Sequence, residues 1–337
     1  MNNIVEWWLN AGRLNDMEMF ILSNTRSEDA ILYSDKEYKK MESEYFNRMP
    51  FSNISSKTHN IMFDTCATNH IKNLFKKYVN EDTLVITSMN EHNNVKELVN
   101  NCNNKLILNH YKDIITLNVD TIVTECKKYK KAFIYIIGTQ ISSGEITPQL
   151  FYETLKKQLV INNIEHIMVL DDVQGMFMVP RDYSIFDYVV GTAHALIEGY
   201  DMGILISRNN DFGIKAINWG YDYLELLDIM LKRKDLLNSF TQVMTQYFHY
   251  DLIKYGFSLF QNTAPHIFAI KTNGMEFTEE MHSLLDNYCI RLEGIGNDYV
   301  PNIFIRMRAQ QYIKFPETCI DGLKVLHNLL EEIKDSK

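Results

Sequence analysis

The segment Val169-Leu170-Asp171-Asp172-Val173-Gln174-Gly175 ends an apolar run in two carboxylates, then a Gln and a Gly. If the run is a buried parallel strand, its end is where α/β sheets place functional groups. A carboxylate there can pair with a cationic ring nitrogen in a poorly hydrated site. The same carboxylates would equally cap a following helix. Two upstream stretches offer further groups. Phe63-Asp64-Thr65-Cys66-Ala67-Thr68-Asn69 is a small-residue loop leading into helical sequence, and helix N-terminal amides bind phosphate. A plain Thr or Asn cap explains it nearly as well. His92, in Ser88-Met89-Asn90-Glu91-His92-Asn93-Asn94-Val95, stands near a helix start. A lone histidine there is most often a surface residue.

The elements that must position these groups follow from hydrophobic patterning. Continuous apolar runs at 59–63, 83–88, 105–108, 132–137, 166–170, 187–190 and 202–206 read as strands. Most are separated by helix-length stretches, among them 69–78, 91–100, 120–126 and 147–160. Pro148 falls in the first turn of the last of these, where its missing donor is harmless. Strands that are apolar throughout, alternating with helices, predict a mostly parallel sheet of seven strands with helices on both faces. A long helical stretch covers 224–250. Beyond residue 262 the pattern turns to short strands (266–270, 303–307) and helices (276–287, 319–333), which predicts a smaller C-terminal α+β domain. The expected division is residues 1–54 as an N-terminal segment packing on both domains, 55–260 as the large domain and 261–337 as the small one.

The strand-end segment resembles the Asp-x-x-Gln/His motif of fold-type-I pyridoxal-phosphate-dependent enzymes. The stretch Asp187 to Arg208 is similar to the class V aminotransferase and cysteine desulfurase pattern: Asp, an apolar strand, Ser/Thr-x-His-Lys, a Gly-containing turn, then Gly and a second apolar strand ending in a basic residue. Asp187, Thr192 and His194 match before the turn, and Gly203 to Arg208 match after it. The resemblance spans about residues 60–315. It implies that Asp171 meets the pyridine nitrogen and Gln174 the phenolic oxygen. It implies that His92 stacks on the ring, and that Thr68, Thr192 and His194 hold the phosphate. Arg306, in Ile305-Arg306-Met307-Arg308, takes the place of the arginine that binds a substrate carboxylate, which suits its planar donors.

The departures matter as much. Ala195 stands where the family has its Schiff-base lysine, and no lysine occurs between Lys157 and Lys215. Alanine can form no covalent link to the cofactor. Val95 and Ile141 stand at two positions where the family has Asn, and Arg308 replaces a small Ser; Gln140 or Thr139 is a weak substitute for the second Asn. The resemblance therefore implies pyridoxal phosphate or pyridoxamine phosphate held non-covalently, with an amino-acid-like substrate. His194 and His92 are then the groups able to move protons. Two alternatives stay open: a cofactor-free structural or regulatory homologue, and an enzyme with unrelated chemistry in the former pocket.

Other classes find little support. The formal charge is -9 with no basic stripe, which argues against a nucleic-acid partner. The five cysteines share no CxxC spacing, so no metal is expected, and their odd number fits a reducing cytoplasm. No window is long and apolar enough for a membrane span, and the N-terminus does not read as a signal segment. The chain carries no P-loop, HExxH, GxSxG or dinucleotide glycine fingerprint. The resemblance implies a homodimer, with the turn at 198–201 near the partner chain.

Overall fold

The computed structural model describes residues 53–192 (Thr65, Ile115 and Ser142 apart) and 202–208, the segments 258–259, 262–264, 267–271, 278–287, 293–297 and 300–308, and parts of helices within 40–47 and 321–332. The expected helix over 224–250 lies outside the described residues.

Seven strands form one sheet. They are β1 (Asn60–Asp64), β2 (Thr83–Ser88), β3 (Lys105–Leu108), β4 (Lys131–Ile137), β5 (Glu165–Asp171), β6 (Tyr188–Thr192) and β7 (Gly203–Ser207). Their order is β1-β7-β6-β5-β4-β2-β3. The run from β3 to β6 is parallel, whereas β7 pairs antiparallel with both β6 and β1. The sheet is thus mostly parallel, as the apolar runs predict. One strand departs from the uniform pattern. β3 closes an edge, and Lys105 and Ile107 are exposed there, because an edge strand has only one neighbour to cover it.

Helices cover both faces. α1 (Ala67–Tyr78) and α2 (Asn93–Asn100) bury Ile71, Leu74, Phe75, Val95 and Val99 against Val85, Phe133, Tyr135, Val169 and Val190. α3 (Val119–Cys126) and α4 (Gln149–Ile161) bury Ile122, Phe151, Tyr152 and Leu155 on the other face, against Leu84, Ile134, Ile136 and Leu170. Alternate residues of β4 and β5 therefore serve different cores, which is the two-residue period of a strand. Pro148 is the N-cap of α4 rather than a residue of its first turn, with extended backbone (φ -61, ψ 136). The sequence also gave no sign of the π-helical turn at His110–Ile114.

A second, four-stranded antiparallel sheet has the order β10-β11-β9-β8, from β8 (Ser258–Leu259), β9 (Ile267–Lys271), β10 (Glu293–Asn297) and β11 (Val300–Arg308). α5 (Glu279–Asp286) lies between β9 and β10 in sequence. The chain before β9 is tied to the loop after β4. The Ala264 amide donates to the Gly144 carbonyl at 2.7 Å, and the Ile146 amide to the Asn262 carbonyl at 2.9 Å. Gly144 turns that loop at φ 73, a conformation that glycine takes at little cost.

Candidate functional site

The carboxyl ends of β2, β4, β5 and β6 lie side by side, and β1 ends and β7 begins at the same edge through the Asp64–Gly203 and Thr192–Gly203 pairings. Loops leaving parallel strands at this end form the usual crevice of an α/β sheet.

Asp171 is the last residue of β5 and is buried. It continues the Val169 face, so its side chain belongs with Tyr135 of β4. The Tyr135 hydroxyl donates to Asp171 Oδ2 at 2.7 Å, and the Val173 amide donates to Oδ1 at 3.1 Å. Burial pushes the Asp171 carboxyl above its ordinary value, while the two donors and the nearby His92 pull it back. Desolvation wins because no full cation is bonded to this carboxylate among the described residues.

Asp172 is equally buried but meets a different environment. Arg181 Nε stands 3.3 Å from its Oδ1, and the Tyr183 hydroxyl donates to Oδ2. Arg181 also donates to the Thr147 carbonyl at 3.0 Å and to the Gly138 carbonyl. This network closes the turn after β5 onto the end of β4. Gly175 is required inside it, since a Cβ there would fall 2.2 Å from Asp172 Oδ1.

The loop after β2 adds His92 and Glu91. His92 is exposed and is the N-cap of α2, its Nδ1 accepting from the Asn94 amide at 3.3 Å. Asn94 Nδ2 in turn donates to Thr68 Oγ1 at 3.0 Å, joining the first turns of α1 and α2. Glu91 is buried. Its Oε1 accepts from the Ile137 amide at 2.8 Å, from the Ser88 hydroxyl at 2.9 Å and from the Ser88 amide at 3.4 Å. Its Oε2 is buried with no hydrogen-bond partner among the described residues. Burial first, and the charge of Asp171 second, push the Glu91 carboxyl up to about 8.

At the other side of the crevice α1 starts without a side-chain cap, its N-cap being Cys66. The backbone there is pressed against the start of β7. A Cβ on Gly203 would lie 2.3 Å from the Cys66 carbonyl carbon and 2.5 Å from the Ala67 nitrogen. Thr192, buried at the end of β6, donates its hydroxyl to the Met202 carbonyl at 2.9 Å.

The structure thus gathers Thr68, His92, Asp171 and Thr192 at one end of the sheet, with Gln174 half-buried in the turn directly after Asp171. His194 and Ala195 lie outside the described residues. Arg306 stands on β11, in register with Glu293 of β10 and Ala269 of β9. Sequence reasoning gave no role to Glu91, Tyr135 or Arg181. Tyr135 had a readable signal: it is a lone hydroxyl in an apolar strand, at the level of Val169 in β5, two residues before the carboxylate. Among the described residues no cluster of His, Cys, Asp and Glu suits a metal, and no helix is long and apolar enough to cross a membrane.

No protein-family model matches the chain, and no curated protein matches its sequence. Solved structures do match over nearly its whole length. One is a NifS-like protein from Rickettsia africae, with TM-score 0.68, 16% identity and 97% of each chain covered. A second is the subgroup IV aspartate aminotransferase from Thermus thermophilus, with TM-score 0.68, 11% identity, 96% of this chain and 98% of that one. A third is ureidoglycine-glyoxylate aminotransferase from Bacillus subtilis, with TM-score 0.65, 12% identity, 95% of this chain and 90% of that one. The chain has the fold of the fold-type-I pyridoxal-phosphate-dependent enzymes. At these identities the likeness speaks for the fold alone.

Proposed function

We propose that the crevice binds pyridoxal phosphate or pyridoxamine phosphate non-covalently and that the chain is an enzyme acting on an amino acid or a derivative of one. The observation that carries this reading is Asp171. A carboxylate buried at a strand end, held by one hydroxyl and one amide and raised by burial, is costly unless a cation joins it. A protonated pyridine nitrogen is such a cation.

The residues present fit the rest of the group. The uncapped first turn of α1, with Thr68 in it, offers amides and a hydroxyl to phosphate, as the N-terminus of a helix does. In this reading His194 would complete the phosphate end, joined by Thr192 where its hydroxyl turns from the Met202 carbonyl to donate to the phosphate, and His92 would cover the ring. Gln174 would be the partner of the phenolic oxygen. When bound, the ring supplies an electron sink for bond changes at a substrate α-carbon. The chain's own part is to orient the ring, keep its nitrogen protonated through Asp171 and move protons through His194 and His92. Arg306 is the proposed ligand for a substrate carboxylate. Ala195 excludes an anchoring covalent bond, so the affinity rests on these non-covalent contacts. A homodimer, a cytoplasmic setting and the division at about residues 54 and 260 belong to the same proposal.

Calorimetric titration of the purified protein with each ligand, beside Asp171→Ala, tests it. A charge-assisted contact is worth about 1.5–3 kcal/mol, so the variant should bind roughly tenfold to a hundredfold more weakly. If neither ligand binds below about millimolar, or the variant binds as well as the parent, the cofactor reading is wrong.

A further inference from the structure

The floor of the crevice holds a second carboxyl that the proposed cofactor contacts do not use. Glu91 is clamped at the ends of β2 and β4 by three donors converging on one oxygen, Oε1. One of those donors is the Ile137 amide, and Ile137 is the residue of β4 directly in register with Asp171 of β5. The Ile137 and Asp171 backbones lie one strand spacing apart, about 4.8 Å, and the charge of Asp171 reaches Glu91 in this dry corner. Tyr135, on β4 as well, is under the influence of both.

The charges around this corner can be enumerated by element. The loop after β2 contributes His92, which is exposed. β4 contributes Tyr135, which burial and both acids hold in its neutral form. β5 and the turn after it contribute Asp171, Asp172 and Arg181, and the guanidinium is bonded to Asp172 and backbone carbonyls. α4 contributes Tyr152, likewise kept neutral by burial. No cation among the described residues is bonded to Glu91. Two anions in one unhydrated corner repel strongly, and such pairs hold one proton between them. The geometry shows where that proton belongs. Asp171 has donors on both oxygens, which favours its ionised form. The three donors on Glu91 Oε1 favour its ionised form too, but Oε2 is buried with no partner among the described residues, so ionisation would leave a bare anionic oxygen there and Oε2 is the oxygen to carry hydrogen.

We propose that Glu91 is a positioning residue held as a neutral carboxylic acid, whose proton leaves Asp171 as the single negative charge offered to the ring nitrogen. The charge of the pocket is thereby fixed at one, matching one pyridinium. This rests on the proposed cofactor reading for its purpose but not for its test.

The first measurement uses the protein without ligand. A group protonated when folded and ionised when unfolded lowers stability as pH rises, between its ordinary value and its folded one, here from about 4.5 to about 8. The parent should therefore lose thermal stability through this window, and Glu91→Gln should lose much less and be the more stable at its upper end. In the infrared, the parent at about neutral pH should show the carbonyl band of a protonated carboxylic acid. Asp171→Asn should keep the band and Glu91→Gln should lose it. The second measurement adds pyridoxal phosphate. Glu91→Gln should bind within about threefold of the parent near neutral pH, where Asp171→Asn is weakened roughly tenfold or more. A band absent from the parent, or present in Glu91→Gln and absent from Asp171→Asn, overturns the proposal. So does a Glu91→Gln protein that binds as poorly as Asp171→Asn. Failure of the parent to bind ligand overturns the cofactor reading, while the band and the stability slope still decide the state of Glu91. The band in the parent also decides it if the Gln variant does not fold.

Discussion

Asp171 and Asp172 are neighbours in sequence, both buried at the end of one strand, and the fold uses them differently. Asp172 meets a guanidinium and a tyrosine hydroxyl, and the same guanidinium binds carbonyls of the β4 loop. Asp171 meets a hydroxyl and an amide, and no cation is bonded to it among the described residues. The two-residue period of the strand separates them: Asp171 follows Val169 onto the α1/α2 face, and Asp172 falls on the other side. Burial raises both carboxyls; a guanidinium beside Asp172 offsets it there, whereas Asp171 has the two neutral donors and the weaker pull of the nearby His92. A buried carboxylate with its cation in place is architecture. One with no cation bonded to it among the described residues is where a cation from outside would gain most, which is the proposed role of Asp171.

The comparison breaks most visibly at Arg181. Replacing Arg181 with Met removes the cation and leaves Asp172 charged in a dry network. Breaking a buried ion pair from one side costs about 3–5 kcal/mol. Denaturant unfolding should show a loss of this order, with Asp172→Asn in the same background recovering part of it. A loss below about 1 kcal/mol would mean that the network is incidental to the fold.

Much of this arrangement is legible in the sequence, and the illegible part has a physical reason. The parallel strands announce themselves because burial on both faces makes the body of each run apolar, as in 132–137 and 167–170. Asp171 is legible because a carboxylate that ends such a run has nowhere wet to go. The sequence cannot say which of two adjacent carboxylates faces which helices, since that depends on the strand's register. Arg181 and Glu91 escape for a related reason. Each is a long polar side chain in a loop, of the kind usually solvated, and only the folded chain brings it against a particular strand end. Thr192 is legible by position, yet its hydroxyl is engaged by the Met202 carbonyl, a contact that spacing does not reveal.

The comparison sharpens with Asp171→Asn, for which the expected effect on stability is smaller and opposite in sign. Burial raises this carboxyl, so its ionisation opposes folding above its ordinary value and the deficit grows as pH rises. The amide keeps the shape. Its oxygen accepts from the Val173 amide, and its NH2 donates to the Tyr135 hydroxyl, which can turn to accept. The ligand-free variant should be at least as stable as the parent near neutral pH, by a margin on the order of 1 kcal/mol. If Asp171→Asn falls as far as Arg181→Met, the two carboxylates are alike and the distinction fails.

The smallest expected effect lies at Tyr135, and it tests how Asp171 stays charged while buried. The hydroxyl donates to Asp171 Oδ2, a bond that favours the ionised form. Tyr135→Phe deletes this donor and little else, because the ring packs against Phe75 at 5.8 Å and Phe133 at 6.5 Å in either residue. Stability should change by less than about 1 kcal/mol, since the lost bond and the relieved burial of a charge oppose one another. Affinity for pyridoxal phosphate should fall a few-fold, on the order of 1 kcal/mol, near neutral pH. With one donor fewer, the Asp171 carboxyl rises further and a larger share is protonated, so the deficit should shrink as pH rises and ionisation is restored. Titrations of parent and variant at several pH values resolve this. An affinity deficit that stays constant with pH would show that Tyr135 acts by shape rather than through the charge of Asp171. A deficit as large as that of Asp171→Ala would place the tyrosine itself among the groups that touch the ring.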